Sequence, residues 1–290
     1  MANPTETGYR HPFPNYQLGD LTQAMDYNSA GQPIIRVGVN YGTSVTGPGN
    51  TNGQIDAFGR MRVSEPYTLF DTRARYYDHN QFSNNTSGSQ TITYNAASST
   101  YTLTVGTANG DSITRETKRV FPYQPGKSLL VLNTFCMQTP KANLTQRVGY
   151  YGRENGVYFE ANGTTYNMVI RSNSSGVLSE TRIPQSSWNV DPLNGQGTSN
   201  VSLSADTTNI FFTDLEWLGV GSVRTGFVIN GQFVIAHIFN HANQAGNTNT
   251  YMGTATLPIR YEIFNSGTTD RKSTRLNSSH IPLSRMPSSA

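Results

Sequence analysis

The sequence predicts an all-β protein: an antiparallel β-sandwich, jelly-roll-like in class, preceded by an extended N-terminal arm. Three observations carry this. Composition favours strands and turns over helices, with 16 Tyr, 13 Phe and 27 Gly but only 13% charged residues in 290. Short runs of alternating or continuous apolar residues recur from residue 55 onwards. Turn signals separate these runs every 8–12 residues or so, the spacing of sandwich strands. The aromatic content is too high for a disordered chain, and no fixed-period repeat points to a propeller or solenoid.

Residues 1–57 lack sustained periodicity and carry Pro4, Pro12, Pro14, Pro33 and Pro48 among many Gly and Asn. They read as an arm with one strand over 33–39, a short helical turn over 18–26 and a loose stretch over 42–53. An arm this polar buries too little surface to hold itself, so packing on a neighbouring subunit is expected. Residues 58–269 form the sandwich. Two strands, 91–96 and 100–105, flank the turn Ala97-Ser98-Ser99. A short run over 120–123 leads to a Pro125-Gly126 turn, then 128–137 reads as a central strand. Segments 147–151, 156–161 and 165–171 form a meander turning at Asn155-Gly156 and Asn162-Gly163. Further strands are expected at 177–183, 209–219, 222–229, 232–240 and 257–264. Asn230-Gly231, between two apolar runs, is the strongest hairpin signal.

The last twenty-one residues stand apart. Asp270–His280 back-translates to a string that resembles a widely used sequencing-library adapter, and Ser284–Ala290 resembles the same adapter's downstream part. Residues 270–290 are therefore expected to be a translated cloning artefact, the native chain leaving off near Thr269, and are set aside from fold reasoning. This changes the charge argument. Four of the 21 basic and one of the 18 acidic residues fall in 270–290, so residues 1–269 hold 17 of each. A neutral body lacks the cation excess that nucleic-acid binding draws on. Cys136 is the single cysteine, which excludes an intrachain disulfide; in its apolar run it is expected to act as a buried small hydrophobe. No apolar run reaches the roughly 18 residues of a membrane helix, so no membrane insertion is expected.

Candidate chemistry is sparse. Asp214 and Glu216 lie two apart on a strand and so share a face. Sandwich glycoside hydrolases set an acid and a nucleophile on such a strand. Phe212 occupies the position where a third carboxylate is expected, which favours a solvated strand face over catalysis. His237 and His241 are four apart, but Ile238 replaces the Glu of a His-Glu-x-x-His zinc site and the context is a strand. No catalytic residue, metal or cofactor is therefore expected. Sugar-binding candidates are Tyr150, Tyr151, Tyr158, Trp188 and Tyr251, the last closing an Asn-rich loop from Asn240. The same aromatics equally suit sheet faces or subunit contacts.

The segment from Asp56 to Asp71, DAFGRMRVSEPYTLFD, reads as the junction of arm and core. Gly59 permits a turn and Pro66 ends an extended piece. Leu69 and Phe70 anchor in the core. Phe58, Arg60 and Arg62 are candidate subunit contacts, the two arginines sharing one face of an extended chain. This segment resembles one in structural proteins of tailed bacteriophages from aquatic environments, which carry a D-A-F-G-R-x-R-V-S-x-P-x-T-L-F-D string. The resemblance extends to residues 8–36, 147–163, 184–188 and 211–243. It implies a virion component that assembles with copies of itself and other virion proteins, made in the host cytoplasm. It implies no catalytic residues, and it implies relatives that continue past position 269. The leading expectation is thus a non-enzymatic virion structural or assembly protein from the capsid, tail or fibre. A host-surface carbohydrate-binding module is the alternative, and a sandwich-fold glycoside hydrolase the third.

Overall fold

The computed structural model describes residues 66–73 and 80–267, together with the backbone of 25–27, 33–35 and 272–284. The chain divides into two units, 1–43 and 44–290. In the first, β1 (Met25–Tyr27) pairs antiparallel with β2 (Pro33–Ile35). Met25 and Asp26 are thus extended rather than helical. The rest of the expected helical turn, the remainder of the 33–39 strand, and Phe58, Gly59, Arg60 and Arg62 lie outside the described residues.

The second unit is an antiparallel sandwich with a jelly-roll-like strand order. One sheet has seven strands. Its order is β12 (Ser179–Pro184), β11 (Thr165–Ser172), β10 (Gly156–Asn162), β9 (Leu144–Tyr151), β16 (Ile259–Asn265), β7 (Ser112–Thr117) and β4 (Phe82–Ser87). The other has eight. It runs β15 (Gln232–Phe239), β14 (Val223–Ile229), β13 (Asn209–Leu215), β8 (Leu129–Cys136), β17 (Lys272–Ser284), β6 (Thr100–Val105) and β5 (Gln90–Asn95), with β3 (Pro66–Arg73) on β17. The only helical piece among the described residues is a 3₁₀ turn, Gln185–Ser187. Strands β4 and β7 were not expected, and two further segments depart from expectation. Pro66 opens a strand, where its missing N–H is tolerated, instead of ending one. The backbone of 272–284, set aside on sequence grounds, runs as a strand between β8 and β6.

The β14–β15 hairpin turns where its dipeptide requires it. Asn230 and Gly231 both take positive φ (51° and 77°), the pair of left-handed residues a two-residue hairpin needs to match strand twist. Alternation then buries one face of each sheet against the other. In β8, Leu129, Val131, Asn133 and Phe135 face inward and are almost fully buried, while Leu130, Leu132, Thr134 and Cys136 are half-buried. Cys136 is consequently not a core thiol; its sulfur lies 3.2 Å from the Asp206 carbonyl. Phe159 sits at the centre, its ring 5.2 Å from Phe227 and 6.0 Å from Phe211 on the opposing sheet. Each such buried Phe contributes about 1.5–3 kcal/mol. Phe70 anchors β3 as expected, its ring 5.0 Å from Phe121, and Leu69 packs against the same core.

Candidate functional site

The carboxylates come first. Asp214 stands directly across from Arg224 in the β13–β14 ladder. Arg224 donates from Nε to Asp214 Oδ2 at 3.1 Å and also pairs with it through Nη2, while Ser128 Oγ donates to Oδ1 at 2.8 Å. The side chains of Asp214 and Arg224 are only 3% and 7% exposed, and Glu216 is fully buried. The expected solvated face is therefore a buried one. The carboxylate of Asp214 is held by a cation instead of facing an open groove, and a buried carboxylate is stable there because its charge is matched.

The aromatic candidates divide. Tyr150, Tyr151 and Tyr158 are 0% exposed, so a sugar arriving from solvent cannot touch them. Tyr150 points into the sandwich, where its hydroxyl lies 2.9 Å and 2.7 Å from the carbonyls of Phe121 and Ala255 and accepts from Leu257 N–H at 3.1 Å. Burial pushes its phenol up out of the titratable range. Trp188 is also buried, its indole N–H donating to Ile183 O at 3.0 Å. These four are corrected from sugar contacts to packing residues.

Tyr151 and Tyr158 belong to a feature the sequence did not reveal, a charged lattice on the outer face of the seven-stranded sheet. Their rings lie 4.5 Å apart, and the guanidinium of Arg171 stands over both. Arg147 donates to Glu160 Oε2 at 2.7 Å, Arg182 to Glu160 Oε1 at 2.9 Å and Arg171 to Glu180 Oε1 at 2.7 Å. Burial opposes charge on Glu180, yet hydrogen bonds from Tyr158 and Arg171, with the nearby arginine charges, hold its carboxyl at about 2. The lattice spans adjacent strands as cross-strand pairs and stiffens the sheet.

Tyr251 lies elsewhere, in a cleft of about 610 Å³ where the end of the β11–β12 hairpin meets the end of β15. Ser172, Ser174, Ser175, Ser179 and Thr181 line one wall. His237, His241, Gln244, Asn247, Asn249 and Tyr251 line the other, with Asn189 and Asn240 alongside. Among the described residues the lining contains no Asp, Glu, Lys or Arg. The Asn-rich loop expected to bind sugar is thus part of this cleft.

A β-bulge sets the geometry. Thr225 pairs with His237 and Gly226 with Ile235, leaving Ala236 as the extra residue. Val234 and the bulged residue Ala236 pack on the core, and Phe239 does so beyond it, so strict alternation breaks and His237 falls on the same side as Phe239. Gly226 is required opposite the bulge, because a Cβ there would lie 2.0 Å from Val234 O. The edge of β15 is closed by the segment after Trp188. Asn189 exchanges two 2.9 Å hydrogen bonds with the backbone of Ile238, and the N–H groups of Val190 and Asp191 donate to Ala236 O. Covering an edge in this way prevents strand addition.

His237 packs edge-on to Phe239 at 4.4 Å, and His241 stacks on Tyr251 at 3.9 Å and 9°. Burial lowers the His237 pKa to about 4. For His241 burial also lowers it, partly opposed by the hydrogen bond with Gly221 O. Both imidazoles are therefore neutral at pH 7. The Tyr251 hydroxyl is buried with no hydrogen-bond partner among the described residues. No group of three or more His, Cys, Asp or Glu suited to a metal ion occurs among the described residues. No described helix is long and apolar enough to cross a membrane.

No family model and no curated protein matches the chain. Among solved structures, it is similar to an endo-1,3-β-glucanase from Streptomyces sioyaensis (TM-score 0.48, 10% identity, covering 76% of this chain and 97% of that one). It is similar also to the CBM2 module of the evolved Dit of Lactobacillus casei BL23 phage J-1 (TM-score 0.45, 8% identity, 77% and 98% covered). A third is a protein of unknown function from Shewanella oneidensis MR-1 (TM-score 0.46, 10% identity, 82% and 95% covered).

Proposed function

We propose that this chain is a non-catalytic recognition module that binds glycan in the cleft between the β11–β12 hairpin and the 240–251 loop. One observation carries the reading: the described residues of the cleft walls are hydroxyls, carboxamides and two neutral imidazoles over aromatic rings, with no charged side chain among them. Sugars are bound by such short polar groups, which exchange hydrogen bonds with hydroxyls, together with ring faces that cover the apolar side of a pyranose. Asp214 is committed to its pair with Arg224, and Tyr150, Tyr151 and Tyr158 are buried in packing, which favours recognition over hydrolysis. The test is a glycan array probed with the full chain and with a variant carrying Asn247→Ala and Asn249→Ala. Both residues are exposed, so folding is expected to be unchanged while binding falls at least tenfold. Absence of binding to every glycan would defeat the proposal, as would turnover of a bound polysaccharide.

A second reading rests on the segment that resembles phage structural proteins. Its last residues form β3, and Phe70 anchors that strand in the core. On this reading the module is a virion part, and glycan recognition is what the assembled particle does at the host surface. Sedimentation of the full chain tests it. Self-association lost on Arg60→Ala with Arg62→Ala is the expected result, and a strictly monomeric protein at high concentration is the opposite one.

A further inference from the structure

The two cleft histidines are fixed as opposite tautomers. The backbone N–H of Asn189 lies 3.2 Å from His237 Nδ1. An N–H only donates, so Nδ1 must hold the lone pair and Nε2 the hydrogen. His241 Nδ1 lies 2.9 Å from the carbonyl oxygen of Gly221. A carbonyl only accepts, so here Nδ1 carries the hydrogen and Nε2 the lone pair. Neither Nε2 has a hydrogen-bond partner among the described residues. Ring packing holds both orientations, through Phe239 against His237 and Tyr251 against His241.

We propose that His237 and His241 form a matched donor and acceptor that reads hydroxyl groups of an uncharged sugar, His237 Nε2–H donating to one oxygen and His241 Nε2 accepting from an O–H. The inference rests on the glycan reading above and narrows its ligand class. A hydroxyl both donates and accepts, so it satisfies either nitrogen. A carboxylate, sulfate or phosphate only accepts, and would set its lone pairs against that of His241. An ammonium only donates, and would meet the Nε2–H of His237. Among its described residues the cleft offers neither an arginine nor a lysine to an anion, nor an aspartate or glutamate to a cation. Tyr251 is the other titratable group in the lining, and burial holds it in its neutral form at any ordinary pH. An uncharged, hydroxyl-rich ring is what remains.

The experiment has two arms, both on the full chain. The first is a long-range proton–nitrogen correlation spectrum of histidine-labelled protein at pH 7, with His237→Gln and His241→Gln assigning two of the five histidines. The expected result is Nε2–H at His237 and Nδ1–H at His241. Identical tautomers, or a charged ring at either site, overturns the inference. The second arm is calorimetric titration with neutral glucose, galactose and N-acetylglucosamine oligosaccharides, and with their sulfated or uronic-acid counterparts. Neutral sugars should bind at least tenfold tighter. His237→Phe and His241→Phe should each weaken that binding at least tenfold, with the Gln variants, which retain a donor and an acceptor, recovering most of it. Preference for acidic sugars, or indifference to both Phe variants in folded protein, overturns the inference and leaves the glycan reading intact. If no sugar of either kind binds while the tautomers are as assigned, the glycan reading itself fails and this inference falls with it.

Discussion

Asp214→Asn separates an ion-paired carboxylate from a catalytic one. The substitution preserves shape and removes only the charge that neutralises Arg224, whose side chain is 7% exposed directly across the ladder. It also turns one acceptor oxygen into a donor, facing either the Arg224 guanidinium or the Ser128 hydroxyl, which donates to Oδ1 at 2.8 Å. Breaking a buried pair by deleting one partner costs about 3–5 kcal/mol, because the other charge stays in the interior. For a domain of this size each kcal/mol lowers the melting temperature by about 2–4 °C. The expected fall is therefore roughly 6–20 °C, measured by scanning calorimetry at pH 7. Replacing both residues with apolar ones, Asp214→Leu with Arg224→Met, should recover most of it, since the stranded charge is gone. The reasoning would be refuted by an Asp214→Asn protein that melts within 2 °C of the parent (well below the roughly 6 °C floor) but loses a measurable polysaccharide hydrolysis.

Three further outcomes follow from the same packing. Tyr150→Phe leaves the Leu257 N–H and a carbonyl partner unsatisfied in a buried site; it should cost roughly 2–4 kcal/mol in urea unfolding and leave glycan binding unchanged. Gly226→Ala sets a Cβ against Val234 O opposite the bulge, so expression in inclusion bodies or a loss of more than about 3 kcal/mol is expected, whereas Gly231→Ala, whose Cβ meets nothing, should cost only about 1 kcal/mol through its positive φ. The His237 pKa is lower folded than unfolded, so its contribution is fully present above pH 6.5 and is lost as pH falls from 6.5 towards about 4; urea unfolding should show a decline on the order of 3 kcal/mol over that window, flattened by His237→Asn.

How much of this was readable from the sequence depended on whether a strand's polarity reports its surroundings. Asn230-Gly231 announces its hairpin because only left-handed residues fit that turn, and Asn155-Gly156 and Asn162-Gly163 mark the turns of the meander over 147–171. Strands β4 and β7 escape notice because their apolar signal is missing. FSNNTS is an exposed edge, and β7 turns Arg115 inward, where its guanidinium lies 4.0 Å from the Tyr101 ring centroid and donates to Asn84 at 2.9 Å. Reading Tyr150, Tyr151 and Tyr158 as sugar contacts fails for a related reason: alternation says that neighbouring tyrosines face opposite ways, not that both sides are covered. The loop 240–251 stood out in the sequence for its carboxamides, and it lines the cleft. The placement of His237 in the cleft was not legible, since the bulge at Ala236 shifts its side chain by one position and no local residue type marks that shift.

The backbone of 272–284 poses the sharpest conflict between the two kinds of reading, and it is open to experiment. The sequence there resembles translated adapter, yet the strand pairs with β6 over 272–276, with β8 between 275 and 283, and with β3 over 278–284. Both can hold at once, because strand pairing is made by main-chain groups and an unpaired strand edge accepts any extended segment that reaches it. The ladder on β8 shifts register between Leu276 and Ser279 and that on β3 between Ile281 and Pro282, as expected where side chains do not dictate the alignment. If main-chain pairing alone seats this strand, its side chains are replaceable but its N–H groups are not. Replacing 272–284 by alternating Thr and Val should then keep or raise stability. Leu276→Pro, at the residue paired to both Tyr101 and Phe135, should cost about 1–3 kcal/mol by removing a ladder donor and leaving its acceptor bare. Urea unfolding of the two variants decides between the readings. If both unfold with the parent, the slot between β6 and β8 is not held by this segment; if the Thr/Val replacement collapses while the proline is tolerated, its side chains matter and the adapter reading loses its force.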